Sequence, residues 1–350
     1  MHVPTDALVR PQNRGHAISD AAAPSEDRWR RELADAIRDP EELCRELGLD
    51  RSLAAAARPA AADFPLLVPR GFAARMRHGD PHDPLLVQVL PVAAERHDVA
   101  GFTADPVGEQ GTLPAPGLVR KYAGRALVLL GGACAVHCRY CFRRAFPYVE
   151  HGATTAGVEA ALAAVAGDGS IAEVILSGGD PLLLDDARLG AVVRRLDAIP
   201  HVRRLRIHTR LPVVLPSRVT PGLTTLLAAS RLTRVVVIHA NHARELDDDV
   251  ALAVRRLAET PALVLNQAVL LAGVNDSIAA QTALAERLVE MGVVPYYLHL
   301  LDRVTGSAHF EVGEARAREI VEALRESLPG YAVPRLAREV PGESAKVWLA

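Results

Sequence analysis

Residues 126–144, ALVLLGGACAVHCRYCFRR, carry an apolar run at 126–130 directly into Cys134, Cys138 and Cys141. The run reads as a buried strand, so the three cysteines stand on the loop that leaves its carboxyl end. Thiolates this close together can converge on one soft metal centre, whereas a disulfide between two of them would strand the third. A cubane 4Fe-4S cluster takes a cysteine on every iron, so three cysteines leave one iron open to a ligand the protein does not supply. The competing reading is a zinc site or three unrelated core thiols. Zinc would want a fourth Cys or His, for which His137 inside the loop is poorly placed. Cys44, far upstream in an amphipathic stretch, reads as a small buried apolar residue.

Downstream, strand and helix signals alternate. Apolar runs at 126–130, 172–176, 203–208, 234–238, 262–270 and 293–298 are separated by helical patterns. One helix is expected from Asp276 to Met291, capped by Asp276, with Leu284, Leu288 and Met291 on one face and Gly292 as its stop. Such alternation predicts a parallel sheet, and unbroken runs such as Val235-Val236-Val237-Ile238 suit strands covered on both faces. The expected fold class is α/β, a curved (β/α)6 partial barrel of the TIM-like kind with an N-terminal helical extension.

Four stretches are expected. Residues 1–25 read as a loose leader. Residues 26–120 form the extension: Trp29, Leu33, Ile37, Leu43 and Leu47 recur at helical spacing with a turn at Pro40, and the many prolines from Pro65 to Pro116 predict irregular chain lying across the barrel. Residues 121–330 make the barrel core, and residues 331–350 a C-terminal segment.

Chemistry in parallel barrels belongs at the carboxyl ends of the strands. Here those ends carry the cysteine loop, Ser177-Gly178-Gly179-Asp180, His208-Thr209-Arg210, His239-Ala240-Asn241-His242, Asn266-Gln267, and Tyr296-Tyr297-Leu298-His299 with Asp302 beyond. Taken singly, Gly178-Gly179 reads equally as a tight turn and His239 or His242 as a hydrogen-bonded core imidazole. Taken together they make a site. The two glycines allow backbone to approach a ligand closely, which suits the amino end of a small cationic metabolite. Lys346, between Pro341-Gly342 and Val347-Trp348-Leu349, stands where an apolar pocket could free its amine for Schiff-base chemistry, although a lone lysine is more often a surface charge.

Composition excludes other classes. With 350 residues, 49% hydrophobic, and a formal net charge of −2, the chain can bury one large core. No apolar stretch approaches the roughly 20 residues of a membrane span, and no signal-peptide pattern opens the chain. A cytoplasmic setting is the default and suits reduced thiols. Near-neutral charge gives no footprint for nucleic acid, and Arg203-Arg204 and Arg255-Arg256 read as solvated faces.

The spacing C-x3-C-x2-C is that of the radical S-adenosylmethionine (SAM) enzymes, in which SAM chelates the open iron. The resemblance extends further. KYAGRALVLLGGACAVHCRYCFRR, SGGDPL, RIHTRLPVV, NQAVLLAGVND, PYYLHLLDRVTGSAHF and PRLAREVPGESAK resemble the lysine 2,3-aminomutase family, most closely the branch that makes (R)-β-lysine for attachment to elongation factor P. The likeness covers most of the chain, including LLVPRGFAARM and GFTADPVGEQ.

The resemblance implies a 4Fe-4S cluster on Cys134, Cys138 and Cys141, SAM beside Ser177, Gly178, Gly179 and Asp180, and pyridoxal 5′-phosphate (PLP) on Lys346. It implies a phosphate grip by Lys121 and Arg125, pocket contacts from His239 and Gln267, Arg143 on the substrate carboxylate, and Asp302 and Glu339 on the side-chain ammonium of L-lysine. The implied reaction moves the amino group from C2 to C3 after hydrogen abstraction from C3, with SAM regenerated. Implied partners are an electron donor such as flavodoxin or ferredoxin, elongation factor P with its lysyl ligase, and a second copy in a homo-oligomer.

Departures accompany the likeness. Glu339 stands where the lysine-degrading members carry aspartate, and His299 where they carry tyrosine. The chain ends four residues after Lys346, without the extra cysteines that bind zinc in those larger enzymes, so no zinc is expected. The alternatives are an aminomutase acting on another amino acid or pathway, and a non-catalytic iron-sulfur or zinc-binding module.

Overall fold

The computed structural model describes residues 25–350; the leader expected over residues 1–25 lies, apart from its last residue, outside them. One sheet of nine strands organises the chain: β1 (Leu118–Val119), β2 (Arg125–Leu129), β3 (Glu173–Ser177), β4 (Arg204–Thr209), β5 (Thr233–Ile238), β6 (Ala262–Val269), β7 (Val294–His299), β8 (Arg335–Arg338) and β9 (Val347–Trp348), adjacent in chain order. From β2 to β8 every pairing is parallel, while β1 and β9 run antiparallel at the two edges. The sheet is open, an α/β partial barrel.

All six expected strands are present, displaced by a residue at most ends. The seventh parallel strand, β8, comes from the segment set apart as 331–350. Arg335-Leu336-Ala337-Arg338 has only two buried residues between two arginines, too short a run to signal a strand. That segment therefore extends the sheet and places Glu339 and Lys346 at its rim.

Six helices span the crossovers: Thr155–Gly167, Asp186–Asp197, Pro221–Ala229, Asp248–Ala258, Ile278–Glu290 and Glu314–Ser327. The first five start on a hydroxyl or carboxylate that accepts a backbone N–H of the first turn, from Thr154, Asp185, Thr220, Asp247 and Ser277. The expected cap Asp276 is thus displaced by its neighbour Ser277, whose hydroxyl accepts Ala280 N–H at 3.1 Å. Val236, Val237 and Ile238 are consecutive in β5 and all buried. Since successive side chains point to opposite faces, helices must cover one face and something else the other.

Part of that cover is the extension. Helices Glu26–Ala34, Pro40–Glu46 and Arg51–Asp63 lead into irregular chain, with Pro40 opening its helix rather than turning the chain before it. Trp29, Ile37, Leu43, Phe72, Leu85 and Leu86 join the same core as the barrel strands. Among the described residues, no helix is long and apolar enough to cross a membrane.

Candidate active site

A cavity of ≈ 280 Å³ opens at the carboxyl ends of the parallel strands. It is lined by Cys134, Cys138, Cys141, Ser177, Gly178, Gly179, Asp180, Lys121, Arg125, Arg143, His239, Gln267, Asp302, Glu339 and Lys346, and of the polar strand ends also by His208, Thr209, Arg210 and His299, but not by Asn241, His242, Asn266, Tyr296 or Tyr297.

The cysteine loop is held from two sides. On the barrel side, Gly179 N–H donates to Gly131 C=O and Asp180 N–H to Ala133 C=O, both at 2.8 Å. Gly178 has φ +123°, and a Cβ there would lie 2.3 Å from the Gly131 oxygen. The close approach the glycines permit is therefore to the cysteine loop, and the Gly178 carbonyl already accepts from Arg143 and Tyr148. Asp180 also faces the fold: its carboxylate accepts Thr209 hydroxyl and the N–H groups of Leu182, Arg210 and Leu211. On the other side the extension clamps the loop. Arg139 and Arg144 both reach Glu95, at 2.5 and 2.8 Å, and Arg139 N–H donates to Gln88 C=O. His137, rejected as a ligand by its place in the loop, has Nδ1 2.9 Å from Pro65 C=O and its ring stacked on Phe64.

Burial pushes the Cys134 and Cys141 thiols up, Cys141 to about 11. Metal coordination reverses that by deprotonating a thiol outright. Among the described residues no three His, Cys, Asp or Glu side chains converge as ligands of one ion. A cube makes a different demand, one thiolate on each of three irons, and three half-buried thiols on a single loop suit it.

Opposite the cysteines, Glu339 accepts Lys121 Nζ at 2.7 Å, Lys346 Nζ at 2.5 Å and the Tyr122 hydroxyl. Burial raises the Glu339 carboxyl, but the two ammonium groups and Tyr122 outweigh it and hold it at about 2. Among the described residues Asp302 has no such partner. Burial lifts it to about 7 against the pull of Lys346. His208, His239 and His299 are all driven down by burial, His239 to about 3, so the imidazoles here are neutral. A register shift between Asn266 and Gln267 accompanies the bond between Gln267 Nε2 and His239 Nε2, 2.9 Å long.

Arg143 is buried and heavily engaged. Glu109 takes two of its N–H groups at 2.7 Å, and Ser177 and the Gly178 carbonyl take two more, leaving one of five for any ligand. Arg125 lies over Tyr122 and, among the described residues, has no carboxylate partner. Among the described residues its Nε, like those of Arg206 and Arg210, is a buried donor without a partner, and His208 Nε2 is a buried ring nitrogen without one. Arg125 Nε, Arg206 Nε and His208 Nε2, beside Lys121 and Lys346, fit an anionic group such as the PLP phosphate.

Glu109, Tyr122, Tyr148 and Arg206 were not singled out, and His208 and Arg210 only as part of a polar strand end. Glu109 lies in the proline-rich segment, where no period marks a site. Arg206, His208 and Arg210 sit on or beside β4, whose polar end was the available signal.

A family model described as a 4Fe-4S single cluster domain matches residues 122–203. The chain is 46% identical to L-lysine 2,3-aminomutase of Escherichia coli, covering 93% of this chain and 95% of that protein. It is 43% identical to that of Haemophilus influenzae, with 93% and 96% covered. It is 32% identical to that of Clostridium subterminale, with 91% and 76% covered. Among solved structures, it is similar to a radical SAM methyltransferase from Sphaerobacter thermophilus at 21% identity and TM-score 0.42, with 63% and 68% covered. Close likeness of sequence along nearly the whole described chain places this protein in the L-lysine 2,3-aminomutase family.

Proposed function

We propose that the protein is a radical SAM, PLP-dependent isomerase that converts L-α-lysine to (R)-β-lysine. The observation that carries this is that the three thiols and Lys346, 205 residues beyond the last of them in the chain, open onto one cavity. In this reading Cys134, Cys138 and Cys141 hold a 4Fe-4S cluster, Ser177, Gly178, Gly179 and Asp180 form the wall against which SAM lies, and Lys346 carries PLP. Lys121 and Arg125 grip the phosphate, helped by Arg206 and His208. When bound, the cluster with SAM supplies a carbon-centred hydrogen abstractor, and PLP a π-system that spreads the unpaired electron while nitrogen migrates.

The residues of the chain bind and confine. The single N–H left on Arg143 takes the substrate carboxylate, fixed in direction by Glu109. Asp302 takes the distal ammonium, and Glu339 joins it once Lys346 is engaged elsewhere; two carboxylates select a cationic side chain. Neutral His239 and Gln267 orient ligands without adding charge. Radical rebound requires near-contact geometry and exclusion of other hydrogen donors, which a deep barrel mouth supplies.

The sequence blocks shared with the elongation factor P branch support delivery of β-lysine to that factor through its lysyl ligase, with a flavodoxin or ferredoxin as donor. The test is anaerobic reconstitution with iron, sulfide, PLP, SAM, a reductant and L-lysine. β-Lysine should form, and Lys346→Ala and Cys138→Ala should each abolish it. Turnover by either variant sinks the assignment.

A further inference from the structure

Arg210 follows β4 and reaches across the barrel mouth to the cysteine loop. Its Nη1 lies 2.6 Å from Cys138 Sγ and also meets the Tyr140 hydroxyl. Its Nη2 donates to Gln88 Oε1 at 2.8 Å and lies 3.2 Å from Glu245 Oε2. Both ends of this contact are fixed. Arg210 is 6% exposed, Gln88 and Glu245 are fully buried, and Asn241 Nδ2 ties Gln88 to Tyr140. The Gln88 amide donates to Glu245 Oε1, and the backbone N–H groups of Asn241 and His242 converge on that same oxygen. Among the described residues, Arg210 is the one cation bonded to a cysteine sulfur of the loop.

We propose that Arg210 is a positioning residue that sets the reduction potential of the cluster through Cys138, with Glu245 limiting its effect. This rests on the cluster reading above. An electron entering the cube adds negative charge that the thiolate sulfurs share, so a donor and full positive charge at one sulfur favour the reduced form. Cluster potentials respond to hydrogen bonds at sulfur and to local charge. A guanidinium held in a rigid fork delivers both without losing its proton, and a low-dielectric surrounding strengthens the effect. Glu245 shares the guanidinium and offsets part of its charge.

The test compares wild type, Arg210→Gln, Arg210→Lys and Glu245→Gln, each loaded anaerobically with iron and sulfide and titrated with dithionite without SAM, the reduced cluster being counted by electron paramagnetic resonance. At the wild-type midpoint, Arg210→Gln should show a ratio of reduced to oxidised cluster about tenfold lower, a shift of about 59 mV for one electron, at unchanged iron content. Arg210→Lys should fall between. Glu245→Gln should move the ratio upward, which a merely structural role does not predict. A fully loaded Arg210→Gln whose ratio stays within about twofold of wild type overturns the inference. If Arg210→Gln fails to load, Arg210→Lys and Glu245→Gln decide: an unmoved or lowered ratio in Glu245→Gln overturns it. A wild-type chain that takes up no four-iron cluster overturns the proposed function as well, whereas a loaded wild type with unmoved variants overturns this inference alone.

Discussion

Replacing Asp302 with asparagine should stabilise the protein free of bound ligands at least twice as much at pH 8 as at pH 5. Burial raises the Asp302 carboxyl to about 7, with Lys346 opposing and Glu339 adding to the rise. Between its ordinary value of 3.8 and about 7 the folded chain holds a proton the unfolded chain has released, so stability falls as pH rises through that window. Three powers of ten at 1.36 kcal/mol each give a penalty of about 4 kcal/mol at pH 8. An unfolding entropy of about 2.1 cal/mol/K per residue makes 1 kcal/mol worth about 1.4 °C for a chain of this length. Asp302→Asn should therefore raise Tm at pH 8 by about 3–6 °C, the upper end being a ceiling because the carboxylate is partly solvent-exposed. At pH 5 the unfolded chain has released its proton across only about 1.2 of those powers of ten, so the shift should fall to about 1–2 °C. Differential scanning calorimetry at the two pH values measures this. Equal shifts at both, or a lower Tm at pH 8, would refute an unpaired buried carboxylate. The same variant should bind lysine at least about 30-fold more weakly, as expected when one partner of a buried charge pair is removed.

Glu95→Gln should destabilise the chain by about 3–5 kcal/mol by leaving Arg139 buried without a counter-charge. Because Arg139 sits between Cys138 and Tyr140, anaerobic iron uptake should fall with it; normal uptake and melting would show that Glu95 does not clamp the loop. Gly178→Ala forces a side chain at φ +123° into the Gly131 carbonyl, so iron uptake should drop, whereas Gly167→Ala, with nothing within 4 Å, should leave uptake intact. Equal uptake in both variants would contradict the close approach of the two loops.

The strands were legible because their runs are apolar on both faces, and the cysteine loop because chemistry fixed its spacing. What escaped was structure made by single residues at long range. β8 is four residues long and starts and ends in arginine, so nothing in it resembles a run. The clamp on the cysteine loop depends on Glu95 meeting Arg139 and on Gln88 meeting Arg210, pairs separated by 44 and 122 residues, and no local period records such a meeting. The resemblance assigned Arg143 and Glu339 their roles, but it did not reveal that Glu109 takes two N–H groups of the former or that two lysines share the latter. Gly178 and Gly179 were read as ligand-facing from the freedom of glycine alone, and the structure gives that freedom to the neighbouring loop.

The arrangement of charge in the cavity narrows what the cavity can take. Arg143 is neutralised by Glu109, Arg206 by Glu173, and Lys121 and Lys346 share Glu339. The two lysines thus have one carboxylate between them, and Asp180 faces Thr209 and backbone N–H groups rather than a cation; among the described residues, Arg125 is left as a cation without a carboxylate and Asp302 as a carboxylate without a cation or such a cradle. Both also act on Tyr122, whose hydroxyl burial and Glu339 push up, Arg125 lowering it and Asp302 adding to the rise. A cavity that keeps both an unpaired cation and an unpaired anion favours an occupant that is anionic at one end and cationic at the other, since either charge alone would leave its opposite buried without a partner. In the proposed reading, lysine held on a phosphate-bearing cofactor has that polarity, with the phosphate toward Arg125 and the distal ammonium toward Asp302. A neutral amino acid would satisfy the first and leave the second unpaired, so above pH 7, where Asp302 is charged, discrimination against it should exceed what the fit of an apolar pocket provides.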